Sequence, residues 1–191
     1  MVITPSSELD AVNEILSSIG SSPVSTLEDD LNIDVINAKR ILNGVSREVQ
    51  SRGYAFNIRT DVTLKPDAFE STVPCPESYI KWFSTDYQLI RRSGYFFDLA
   101  NQTNQFKDGI TLDELIVQED FESLPEPVRK YVTARAARLF QARFLSSPDI
   151  GQELLQSESE AYADLIDYEL VSGNYNVFKD DTEISGNIGR S

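Results

Sequence analysis

Ser7-Glu8-Leu9-Asp10-Ala11-Val12-Asn13-Glu14-Ile15-Leu16-Ser17-Ser18-Ile19-Gly20 is the stretch whose pattern decides the fold. Leu9, Val12, Ile15, Leu16 and Ile19 recur at three- and four-residue steps, which places them on one face of an α-helix. Ser6 or Ser7 can accept a hydrogen bond from the first free amides, and Gly20 is a natural stop. The spacing therefore predicts a helix from about Ser7 to Ile19. One apolar stripe cannot cover itself, so partner helices are required.

The first partner follows a loop, 21–32, that contains Pro23. Val35, Ala38, Ile41, Leu42, Val45 and Val49 make a second stripe over about Asp34 to Ser51, with Gly53 as its stop. Gly44 interrupts that pattern at a cost of about 1 kcal/mol against alanine, and a close helix contact would explain it. The period then shortens. Tyr54, Phe56 and Ile58 alternate as in a half-buried strand, and Tyr79 to Phe83 and Tyr87 to Ile90 are further strand candidates. Tyr87 to Ile90, the turn Arg91-Arg92-Ser93-Gly94 and Tyr95-Phe96-Phe97 read as a β-hairpin. Helical spacing returns after Pro125-Glu126-Pro127, where Val128, Val132, Ala136, Leu139 and Phe140 form a third stripe. Ser146-Ser147-Pro148 breaks and restarts the helix, with Ser147 as cap. The fourth helix runs to about Leu170. Ile150, Leu154, Ala161, Leu165 and Tyr168 form its core face, and Leu155, Tyr162 and Ile166 form a second apolar flank.

The expected fold class is α+β, mainly α: an antiparallel four-helix bundle with a β-rich insertion and an extended C-terminal tail. Residues 1–53 supply the first helical pair, 54–118 the insertion, 119–170 the second pair and 171–191 the tail. The tail is rich in Gly, Asn, Asp and Ser and cannot build a core. Its apolar points, Tyr175, Val177, Phe178, Ile184 and Ile188, suit a segment that orders on a partner.

Charge narrows the function. The chain has 191 residues, 17 basic, 31 acidic and no histidine, for a formal charge of −14. Such a chain repels phosphate backbones, which disfavours sequence-independent nucleic-acid binding. Cys75 is the only cysteine, so no intrachain disulfide and no Cys/His zinc set is available, and a cysteine nucleophile would lack a histidine partner. The opening residues lack the basic and apolar regions of a signal peptide, and no run approaches the roughly 20 apolar residues of a membrane span. Synthesis and assembly in a cytoplasm are expected, without membrane insertion.

The last two helices carry opposite charges. Arg129, Lys130, Arg135, Arg138 and Arg143 occupy the third, while the fourth has acids and no base. An antiparallel pair would bring Arg129 and Lys130 to Asp167 and Glu169 and relieve both unfavourable dipole ends. The five basic residues scatter around their axis, so they form no phosphate-tracking face. Glu153, Glu160, Asp164 and Asp167 do form one stripe, an acidic surface for a channel or a partner. The acids alone do not define a catalytic pair, and the acid-rich run from Asp108 to Glu126 lacks calcium-loop spacing. No phosphate loop, dinucleotide fingerprint or nucleophile elbow is present, and no catalytic residue, cofactor or metal is implied.

Glu8 to Leu16, Ser18-Ile19-Gly20 and Pro23 to Glu28 resemble the opening of the tail tubular protein A family of short-tailed, podovirus-type bacteriophages. The resemblance continues through Asn37 to Asn43 and Gln50 to Asn57, and more loosely through Gly109-Ile110-Thr111, Arg129 to Phe144 and Gly173 to Asn176. It implies a virion tail protein that is no enzyme: a dodecameric adaptor ring joining the portal to the nozzle, tail tubular protein B, and supporting the tail fibres. DNA is held by such a tail and later passes through it without specific binding. On this reading the C-terminal segment would meet the portal, and Arg91, Arg92, Tyr95 and Phe96 in the hairpin would meet nozzle or fibre. Two other classes remain open: a carboxylate-based hydrolase of cell-envelope polysaccharide carried on the tail, and a soluble host-directed regulator.

Overall fold

The structure, a computed structural model, describes residues 6–28 and 32–173. The expected tail residues Tyr175, Val177, Phe178, Ile184 and Ile188 lie outside the described residues. Helix α1 spans Glu8–Ser17 and α2 spans Ile33–Gln50. Strands β1 (Ile58–Leu64), β2 (Tyr79–Phe83), β3 (Leu89–Arg92), β4 (Tyr95–Asp98) and β5 (Ile110–Val117) follow. A 3-10 turn at Phe121–Ser123 leads into α3 (Glu126–Phe144) and α4 (Pro148–Ser172). The fold is α+β.

Local chemistry explains the helix ends. The Ser7 hydroxyl accepts from the Asp10 amide at 3.1 Å, and the Asp10 carboxylate accepts from the Ser7 amide at 3.0 Å. This reciprocal box satisfies two otherwise free donors. The Ser7 hydroxyl also donates to the Asp10 carboxylate at 2.7 Å, and this bond first, then the one from the Ser7 amide, holds the Asp10 carboxyl below its ordinary pKa. Asn32 caps α2, its side-chain oxygen accepting from the Asp34 amide at 3.0 Å. Ser147 sits at the cap of α4 but makes no side-chain cap bond; its carbonyl instead accepts from the Gln141 side chain at 2.8 Å.

All four helices contribute to one core, but they pack unevenly, and the expected four-helix bundle is not confirmed. α3 is central and packs on α1, α2 and α4, while α4 lies chiefly against α3. The composition of α4 explains this. Only Glu158 and Leu165 of its 25 residues are buried, whereas α3 buries Val128, Tyr131, Val132, Ala136, Ala137 and Phe140. A helix with so narrow a buried strip covers one neighbour. The stripes of α1 and α2 close on α3 as their spacing required, with Val12, Ile15, Leu16, Leu42 and Val49 fully buried. Each such side chain contributes about 1.5–3 kcal/mol.

In the insertion, β5 is the middle strand of an antiparallel sheet ordered β1-β5-β2, and β3-β4 form a separate hairpin. Sequence reading left β5 unassigned within the acid-rich run; its Asp113 and Glu114 tolerate partial exposure while Leu112, Leu115, Ile116 and Val117 are buried. Tyr54 and Phe56 are not strand residues. They stack at 5.9 Å in the turn before β1, and buried Tyr54 joins the helical core. A second core beneath the sheet contains Val73, Phe96, Phe106, Leu112 and Leu115. Gly109, at φ +89°, makes the sheet's tight entry possible, because a Cβ there would lie 2.5 Å from the Leu64 carbonyl oxygen. Gly44 has no such reason: among the described residues nothing lies within 4 Å of its Cβ direction, so no close contact there accounts for it.

Candidate functional site

Two buried amides lock the insertion to the helical body. The Asn57 side chain donates to the Gln50 carbonyl at 2.9 Å and the Val117 carbonyl at 3.0 Å, and its oxygen accepts from the Tyr54 amide at 2.9 Å. Gln50, the last residue of α2, accepts from the Glu119 amide at 2.7 Å and donates to the Glu119 carbonyl at 3.0 Å. Both side chains are fully buried, so these bonds must be complete to be tolerated. Around this joint, Arg47 reaches the Gln118 side chain and the Glu77 carbonyl, and Arg59 pairs with Glu119 at 2.9 Å.

A charged cluster lies between α2, α3 and α4. Buried Glu158 accepts from Arg135 at 3.0 Å and from Arg138, and Arg135 also pairs with Glu48 at 2.7 Å. Burial works against the Arg135 charge, but the bond to Glu158 and the Glu48 charge outweigh it and keep its pKa above the ordinary value. The expected meeting of Arg129 and Lys130 with Asp167 and Glu169 does not occur among the described residues. Arg129 donates to the Ser6 carbonyl at 2.9 Å and pairs with Glu126 at 3.3 Å, while Glu169 accepts from the Ala55 amide at 2.8 Å. Charge complementarity between the two helices is concentrated at their middle, where Glu158 can be reached by two guanidinium groups.

The hairpin differs from its sequence reading. Arg91 and Arg92 are the last residues of β3, and the two-residue turn is Ser93-Gly94, both at positive φ as a type I′ turn needs. Arg91 folds back on the body, donating to the Pro76 carbonyl at 2.7 Å and the Tyr79 carbonyl, with Cys75 Sγ at 3.3 Å. Burial raises the Cys75 thiol pKa, opposed by Arg91. Phe96 is fully buried against the Trp82 ring, so it is a core residue and has no exposed surface to offer a partner. Arg92, over the Phe97 ring, and Tyr95 remain exposed. Phe69, Phe83 and Leu99 are further exposed apolar residues of the insertion.

On α4, Glu153, Glu160, Asp164 and Asp167 are all exposed and share one face, as their spacing required. A groove of about 380 Å³ runs between α2 and α3, lined by Arg40, Gly44, Glu48, Leu139, Arg143 and Phe144 among others. A smaller cavity of about 310 Å³ between α1, α3 and α4 includes Asp10, Glu14 and Lys130. Burial raises the Glu14 carboxyl pKa while Asp10 is lowered. Opposed shifts on two acids are one mark of acid–base chemistry, but the Asp10 carboxylate is committed to the α1 cap. Among the described residues no group of three His, Cys, Asp or Glu could hold a metal ion, and no helix is long and apolar enough to cross a membrane.

Comparison with protein families matches residues 9–175 to the tail tubular proteins. The chain belongs to that family. It is therefore a structural component of the virion tail. No match was found among curated proteins. The family match runs from α1 through α4, so it takes in both the helical body and the insertion.

Sequence reading did not single out Gln50, Asn57 or Glu158 as structural joints. A faint signal was available for the amides, since both fall in the Gln50 to Asn57 stretch beside the Gly53 stop. Their partners Val117 and Glu119 lie at least 60 residues away, which no local pattern reveals.

Proposed function

We propose that this chain is the adaptor subunit of a short phage tail. It forms a ring, twelve-fold as the family resemblance implies, that joins the portal to the tubular nozzle and gives the tail fibres a seat. DNA is retained by this assembly and passes through it during ejection without specific contacts. The chain acts by binding and not by catalysis. The net charge of −14 supports the passive role, because an acidic wall repels phosphate and lets DNA slide.

One observation carries the reading: exposed apolar side chains lie at well-separated places on one locked body, with a further set, Ile150, Leu155, Tyr162, Leu170 and Val171, along α4. Ile33, Ile36, Phe144 and Leu145 lie at the start of α2 and the end of α3, while Phe69, Phe83, Tyr95 and Leu99 lie in the insertion. α2 alone separates the first set from the insertion by about 27 Å at 1.5 Å per residue. An adaptor needs two docking regions held at a fixed distance, and the Gln50–Asn57 joint supplies the rigidity. The test is to mix purified subunit with portal particles and image the product. A ring on the portal is expected, and its absence overturns the reading. Residues 171–191 are proposed to dock on the portal, so a chain ending at Ser172 should bind it more weakly; unchanged affinity refutes that assignment.

A further inference from the structure

The α2–α3 groove and the acidic stripe of α4 lie on opposite sides of the helical body. At 3.6 residues per turn, Glu153, Glu160, Asp164 and Asp167 fall within about 60° of one another. The Leu155–Tyr162 flank lies on the other side of α4, the side on which Arg135 links Glu158 to Glu48 of α2. The groove lies on that second side. It carries two exposed arginines, Arg40 and Arg143, which make no salt bridge among the described residues. The stripe carries four exposed carboxylates on a helix without a single basic residue.

Gly44 adds an independent observation. It sits exposed in the middle of α2 and lines the groove between Arg40 and Glu48. A glycine there costs about 1 kcal/mol of helix stability, and among the described residues nothing lies within 4 Å of its Cβ direction. The open backbone it leaves suits the close approach of another helix. Phe144 and Leu139 give the same groove apolar lining. Basic rim, apolar lining and open backbone together fit an acidic helix.

We infer that the occupant is α4 of a second copy of this chain, its Glu153–Asp167 stripe facing Arg40 and Arg143 of its neighbour. Because the two surfaces differ and face opposite ways, each copy donates a stripe on one side and accepts one on the other. That contact is heterologous, and it closes into a ring where the rotation between neighbours divides a full turn. The inference rests on the ring reading above only in taking like subunits to be neighbours.

The test is a charge exchange on the full chain. R40E with R143E reverses the groove; E160K with D164K reverses the stripe. Each is followed by analytical ultracentrifugation, with circular dichroism to verify helix content. Wild type should sediment above the monomer, increasingly so at low salt, since such contacts are screened. Each reversed variant should lose affinity by about tenfold or more. An equimolar mixture of the two should regain assembly, because each reversed surface then meets its complement. A neutral variant, R40Q with R143Q, guards against misfolding and should weaken assembly without rescue by the stripe variant. A monomeric wild type, reversed variants that assemble normally, or a mixture that fails to recover each overturns the inference. A wild type that is monomeric alone yet forms a ring on the portal overturns this interface and leaves the adaptor reading standing. Charge-matched assembly without portal binding does the reverse.

Discussion

Replacing Asn57 with alanine probes the joint between helical body and insertion most directly. The side chain is fully buried and makes three hydrogen bonds, to Gln50, Val117 and Tyr54. The Gln50 carbonyl keeps a second partner, the Gly53 amide at 3.1 Å, so it is not orphaned. The Tyr54 amide and one acceptor site on Val117 are left without the side chain. At about 1–3 kcal/mol for each buried group deprived of its partner, the loss should be about 2–4 kcal/mol. For a chain of this size that lowers Tm by about 5–15 °C. Asn57→Asp sharpens the test. Its carboxylate can still accept from Tyr54, but its second oxygen faces two carbonyls and cannot donate while ionised. The folded-state pKa is therefore raised above the unfolded value. The folded form then binds more protons than the unfolded form between those two values, so stability falls as pH rises through that window. Urea and thermal unfolding at pH 4 and pH 7 measure both effects. A loss below about 0.5 kcal/mol in Asn57→Ala, or an equal loss at both pH values in Asn57→Asp, would refute the account of the joint.

Glu158→Gln leaves Arg135 and Arg138 without their shared carboxylate; with both guanidinium groups partly exposed the cost should be about 1–3 kcal/mol, and hydrogen exchange should rise first in α4. If α4 exchanges no faster than in wild type, the cluster does not hold it. Gly44→Ala should stabilise the isolated subunit by about 0.5–1 kcal/mol because the added methyl meets nothing, and a lower Tm for the monomer would contradict the open geometry. Glu14→Gln should slightly stabilise the subunit at neutral pH. Burial raises the Glu14 carboxyl, so its contribution is lost as pH rises through the folded value; the wild-type profile should be steeper there than the variant's. Identical profiles would show that Glu14 is solvated in both states.

The apolar stripes of α1, α2 and α3 were legible because burial there follows the local 3.6-residue period, and Val12, Leu42 and Val132 ended where that period put them. The exposed acidic stripe was legible for the same reason. The hairpin residues were less so. Placing Arg91 and Arg92 in the turn assumed a four-residue loop, whereas Ser93-Gly94 closes it alone and draws Arg91 back over the body. Phe96 points inward because it alternates with exposed Tyr95 and half-buried Phe97 along β4.

Helix existence, most helix ends and the overall charge were therefore determined by sequence alone, since caps, stripes and formal charge are properties of residues within a few positions of each other. Only the tertiary structure decided that α3 is central, that β5 is the middle strand, and that Glu158, not Asp167 or Glu169, is the α4 acid that pairs with α3, through Arg135 and Arg138. These depend on contacts between distant segments. A strand reads as a middle strand only when both neighbours are paired to it, and a carboxylate finds its cation only when packing sets which turns of two helices meet.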